Sequence, residues 1–194
     1  MKNASSDDQT EESFNAVYRR SSDFKCALMD DLIAARRYLG TNDTQFARRI
    51  YCRTVMAFFE GIVNDLRSDV LFFDSGVLGQ GEVATLKRRL GALESAFHSF
   101  NLYTNVAGAE SPLERNSKEW RILKKAIEIR NRITHLKSQI DLEISDLDLG
   151  HLRITEESIF DLLCRCLKES AKARLKHVKT LKEARKRHLG PYSV

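Results

Sequence analysis

Arg130, Asn131 and His135 bring a guanidinium, an amide and an imidazole into the short segment IEIRNRITH. That combination suits phosphate chemistry. A guanidinium fork matches phosphate oxygens bidentately, and an imidazole, which titrates close to neutral pH, serves as general base or general acid. Arg130 also stands where the apolar pattern calls for a hydrophobic residue. Ile127, Ala126 and Leu123 precede it by three, four and seven positions, so it projects from the core-facing stripe of its helix. A guanidinium there is costly unless a carboxylate, an interface or a water-filled cleft holding an anion compensates it. Glu60, at the border of the apolar stripe in FFEGIVND, is the candidate carboxylate.

On a regular helix Asn131 and His135 lie about 40° apart and share one edge, while Arg130 and His135 lie about 140° apart. One helix therefore cannot converge all three on a point. Two copies meeting across a two-fold axis can, with the Arg of one chain approaching the His of the other, which predicts a homodimer.

The run Ile129-Arg130-Asn131-Arg132-Ile133-Thr134-His135 resembles the R-x4-6-H signature of the HEPN superfamily, with the frequent variant of Asn after the Arg. These are small all-helical domains, many of them metal-independent ribonucleases of toxin–antitoxin and antiviral systems. The resemblance spans roughly residues 24–188, but its sharp part is the motif itself, supported by the long preceding helix with the aromatic-Glu pair Phe59-Glu60. It implies an endoribonuclease that leaves a 2′,3′-cyclic phosphate at a composite dimer site. His135 would move the proton of the attacking 2′-hydroxyl or of the leaving 5′-oxygen, and Arg130 would neutralise the scissile phosphate. Asn131 would position the His or the phosphate, and Glu60 would hold Arg130. No metal or cofactor is implied. The same resemblance admits a non-catalytic binding module: an antitoxin, a nucleotidyltransferase partner or an RNA-binding regulator.

Plainer readings stand beside these. His135 is also what a helix C-terminus favours through its macrodipole, Arg130 with Glu60 also fits a structural ion pair, and Asn131 also fits a surface amide. On that view the chain is a helical interaction domain. Trp120 reads as core rather than as a base-stacking platform. The segment from Arg165 to Arg187 carries ten Lys/Arg against Glu169 and Glu183, a local +8 within a chain of net charge +5. Its Lys172, Lys176, Lys179 and Arg185 are candidate RNA contacts, although Leu175, Val178, Leu181 and Ala184 keep an apolar stripe there and the basic face also fits plain solvation. His177 and His188 have no acid–base partner nearby in sequence.

Composition limits the alternatives. With 194 residues, 42% of them hydrophobic and 30% charged, and only 9 Gly and 2 Pro, the chain is predicted to fold as one domain. Collagen-like, disordered and multi-linker architectures are excluded. Phosphate-cradling glycine loops, H-E-x-x-H and G-x-S-x-G are absent from the sequence. No apolar run is long enough for a membrane span, and the polar N-terminus lacks a signal-like apolar stretch, which predicts a cytoplasmic protein. Cys26, Cys52, Cys164 and Cys166 lack zinc-site spacing and read as reduced, mostly buried thiols.

The elements that must position the candidate residues follow from periodicity. Residues 1–20 read as an acidic N-terminal tail and 21–190 as one helical domain, an all-α up-down bundle of four to five helices. A first helix runs from Phe24 to a stop at Gly40, and a long spine helix opens at Thr44 and continues to about residue 74. A third helix covers Glu82 to about Tyr103, and Ser117 caps the helix bearing the motif. Ile140, Leu142 and Ile144, then Leu152 and Ile154, alternate as strands do, which suggests a short β-hairpin or extended crossover at about 139–154. Thr155 opens a last, basic helix that Gly190-Pro191 ends.

Overall fold

Thr44 starts the spine by accepting the Ala47 N–H on its hydroxyl at 3.2 Å, the N-cap bond that a β-branched hydroxyl residue supplies at the head of a helix. The computed structural model describes residues 5–73 and 78–189. Over them the chain is an all-α bundle of six helices, α1 (Ser5–Thr41), α2 (Gln45–Phe73), α3 (Gln80–Lys87), α4 (Ala92–Val106), α5 (Lys118–Thr134) and α6 (Asp146–Leu189), with a 3-10 turn at Gln139–Leu142. No described helix is long and apolar enough to cross a membrane.

The spine α2 packs against α1, α4, α5 and α6, and Tyr51, Val55, Phe58, Phe59, Ile62, Leu66 and Val70 bury almost completely along it. The α1 contact is close at Gly61, where a methyl group would collide with the Leu28 side chain. Deeper along the same face, Glu156 of α6 accepts the Tyr51 hydroxyl at 2.5 Å and pairs with Arg36 of α1. One buried carboxylate thus ties three helices together, and burial raises the Tyr51 pKa above its ordinary value.

Several boundaries differ from the sequence expectations, each for a local reason. α1 begins at Ser5 rather than Phe24, so most of the segment read as a tail continues the first helix. Gly40 lies inside α1, which ends one residue later with the Thr41 hydroxyl bonded to the Arg37 and Tyr38 carbonyls. The expected third helix is two: Arg88 and Gly91 take extended backbone angles, ending α3 and opening α4. Left-handed Gly108, at φ 72°, closes α4 with its N–H on the Asn105 carbonyl at 2.8 Å. Ser117 caps α5 as expected, accepting the Trp120 N–H at 3.1 Å.

The β-hairpin is absent, since 139–142 form the 3-10 turn and α6 starts at Asp146 instead of Thr155. Two successive caps border Ile140, Leu142 and Ile144. Asp141 accepts the Lys137 and Ser138 N–H groups, both at 2.8 Å. Asp148 and Ser145 then exchange bonds across the first turn of α6. The Thr155 hydroxyl donates to the His151 carbonyl one turn back, inside the helix. Beyond Ser170 no described α6 side chain is buried, and Leu175, expected on an apolar stripe, is 63% exposed. The side chains of Val178, Leu181 and Ala184 and the stop at Gly190-Pro191 lie outside the described residues.

Asp148 yields a pH prediction. Burial alone would raise its pKa, but hydrogen bonds from Arg132 and from the Ser145 hydroxyl and N–H outweigh it and hold the carboxyl below its ordinary value. A lowered folded-state pKa contributes stability above the unfolded value of about 3.9 that is lost as pH falls through the folded one. Asp148→Asn therefore flattens the acid limb of a stability–pH curve below about pH 4, and chemical denaturation across that range checks it.

Candidate functional site

The last two turns of α5 carry the motif, and the apolar residues beside it set its direction. Leu123, Ala126, Ile129 and Ile133 are buried, which leaves Arg130 on the flank of the core-facing stripe. There its Nη2 donates to Oε1 of Glu60 on α2, the pairing expected from sequence. The pair stays open to water, with side-chain exposures of 25% for Arg130 and 44% for Glu60. It is an accessible pair at the edge of a cavity, not a sealed structural bridge.

That cavity has a volume of about 330 Å³ and takes its walls from α2, α4, α5 and the link between α3 and α4. Glu60, Asn64 and Arg67 reach it from α2 at i, i+4 and i+7, Arg89 from the link between α3 and α4, Ser95 from the first turn of α4, and Arg130 from α5. Three guanidinium groups thus border one carboxylate. Arg67 and Arg89 have no carboxylate partner among the described residues. Neither residue stands out in the sequence pattern. The signal that points to Arg67 is the helical spacing from Glu60; Arg89 carries no such signal, because the break between α3 and α4 is what turns it toward the cavity.

His135 does not line this cavity. It is the C-cap of α5, where φ −111° and ψ 66° end the helix, and its N–H donates to the Asn131 carbonyl at 2.9 Å. Its imidazole is exposed and makes no hydrogen bond among the described residues. The backbone that follows is pinned on both sides. Asp141 gathers the Lys137 and Ser138 N–H groups, which hold its carboxyl below the ordinary range. Gln45 exchanges bonds with the backbone of Ile144 at 2.8 and 3.1 Å, and Arg48 and Arg49 donate to the Ile144 and Leu142 carbonyls. An unencumbered imidazole thus projects from a fixed helix end. Asn131 is exposed on the adjacent turn, and Arg132 is taken up by Asp148 at 2.7 Å.

The other candidates divide. Lys172, Lys176 and Lys179 are exposed on α6, with Lys172 paired to Glu169 at 2.7 Å; the Arg185 side chain lies outside the described residues, as do those of His177 and His188. Trp120 packs edge-on against Phe97 at 6.0 Å, in keeping with a packing role. Cys52 and Cys166 are buried, and burial pushes both thiols up to about 12, but Cys26 and Cys164 are exposed, so the cysteines are half rather than mostly buried. Among the described residues no three His, Cys, Asp or Glu side chains are grouped to hold a metal ion.

The exposure of the Arg130–Glu60 pair has a measurable consequence. Water-accessible ion pairs contribute about 0–1 kcal/mol, so Arg130→Ala and Glu60→Gln each leave unfolding free energy within about 1 kcal/mol of the parent. Denaturant titration checks this; a loss of several kcal/mol would make the pair structural.

No family model, curated protein or solved structure matches this chain.

Proposed function

We propose that the protein is an endoribonuclease of the HEPN type, working as a homodimer in which Arg130 of one copy and His135 of the other meet at the scissile phosphate. The observation that carries this reading is Arg130, oriented by Glu60 at a cavity edge, five residues before an exposed and unbonded His135 on a pinned helix end.

In the reaction the 2′-hydroxyl oxygen attacks the neighbouring phosphorus as the bond from phosphorus to the 5′-oxygen breaks, which leaves a 2′,3′-cyclic phosphate and a free 5′-hydroxyl. The hydroxyl proton passes to a base and the leaving oxygen takes one from an acid; His135 supplies one of these transfers. The Arg130 guanidinium neutralises charge on the non-bridging oxygens, and in this reading the Asn131 amide orients the His or the phosphate. Toxin or defence roles, with an antitoxin or nucleotidyltransferase as partner, would follow from such an activity.

The test is incubation of total RNA and a tRNA pool with purified protein in EDTA, with fragment ends assayed for cyclic phosphate. Mixing inactive variants then probes the composite site. If Arg and His come from different copies, an Arg130→Ala/His135→Ala heterodimer keeps one intact site, and with half the dimers mixed the activity returns to about a quarter of wild type. Failure to recover activity would place both groups of a site in one chain. Absence of any cleavage by the parent protein would move the protein to the binding-module class.

A further inference from the structure

We propose that the cavity lined by Arg67, Arg89 and Arg130 is a second phosphate subsite, holding a phosphodiester of the RNA strand next to the one that is cut. This rests on the ribonuclease reading for its substrate, and on separate observations for its chemistry. Three guanidinium groups face a single carboxylate, and two of them have no partner carboxylate among the described residues. Each unpartnered guanidinium presents a donor fork of the geometry that phosphate oxygens accept.

Ala92 and Ser95 of the first turn of α4 complete the lining, and Glu94 of the same turn is taken up by Arg115 at 2.7 Å. The volume of about 330 Å³ sits at the lower end of the range for small-ligand sites, roughly 300–1,000 Å³, a scale that suits one phosphate with part of its sugar. Arg130 forms the boundary between the subsites: it lines this cavity and is also the guanidinium assigned to the scissile phosphate. A strand whose scissile phosphate lies between Arg130 of this copy and His135 of the other extends its neighbouring phosphate toward Arg67 and Arg89, which line the same cavity as Arg130.

Binding to an uncleavable strand separates this inference from the catalytic one. The probe is a fluorescent 2′-O-methyl oligoribonucleotide, which lacks the attacking hydroxyl, titrated by anisotropy at several salt concentrations. Arg67→Gln and Arg89→Gln each weaken binding roughly tenfold at low salt, uniformly across probe sequences, and each lowers the salt slope by about 0.7, the share of one neutralised phosphate on a single strand. Because Arg67 is half-buried, Arg67→Lys is the companion variant: it keeps the charge, and retained slope with weakened affinity is the expected result. Unchanged affinity and slope in the Arg67→Gln/Arg89→Gln double variant would overturn the proposal, as would a parent protein that does not bind the probe. Arginine-dependent binding without cleavage of ordinary RNA would uphold the subsite and overturn the ribonuclease reading.

Discussion

His135→Ala lowers RNA cleavage by roughly 10²–10⁴-fold, the span that a positioned acid or base contributes. Stability is unaffected by the same change. The imidazole is exposed and makes no hydrogen bond among the described residues, while the cap bond to the Asn131 carbonyl comes from the backbone N–H and survives truncation. An exposed substitution of this kind changes unfolding free energy by about 0.5 kcal/mol or less. Binding of the 2′-O-methyl strand also persists, since the guanidinium groups of the cavity lie elsewhere. Cleavage rate, melting curve and anisotropy on one preparation give the full pattern. Cleavage within a fewfold of the parent rate would remove His135 from the reaction, and a lowered melting point with abolished cleavage would mark it as structural.

Much of the arrangement is legible in the sequence because helices repeat every 3.6 residues and α2 and α5 carry long apolar faces on that repeat. Arg130 is conspicuous as a charge on that repeat, and Glu60 is its nearest acidic counterpart on the spine; the two do meet. What is not legible depends on caps and on chain breaks. Asp141, the acceptor of the cap at Ser138, falls between Ile140 and Leu142, and Ser145, which opens the next cap, follows Ile144, so two caps supply polar residues to a strand-like alternation. The break at Arg88–Gly91 is invisible because Leu86, Leu90 and Leu93 keep a helical spacing across it. With that break unseen, Arg89 is one more charge on a continuous helix, and the cavity it completes cannot be assembled. The start of α1 is likewise misread by composition alone, because a polar, acidic stretch lacks the apolar periodicity that marks a helix.

The cavity and the core share a wall at Phe59, and the second large effect lies there. Phe59 is 1% exposed on the spine, directly before Glu60, and its ring borders the cavity floor. Phe59→Ala removes a buried aromatic ring from an element that packs against four others, where surrounding helices cannot all move in to fill the gap. The cost of such a truncation is about 3–5 kcal/mol, which for a domain of this size lowers the thermal midpoint by roughly 6–20 °C. Phe59→Leu, which keeps most of the volume, costs less. Calorimetry on both variants checks the ordering. Because the floor beneath Glu60 is removed, Phe59→Ala also weakens binding of the uncleavable strand at temperatures where it remains folded, whereas Phe58→Ala, whose ring packs against Phe160 at 5.1 Å and borders the groove between α1 and α2, destabilises without that weakening. Equal weakening of binding in the two variants would mean that stability, not the shape of the cavity, governs binding of the probe strand.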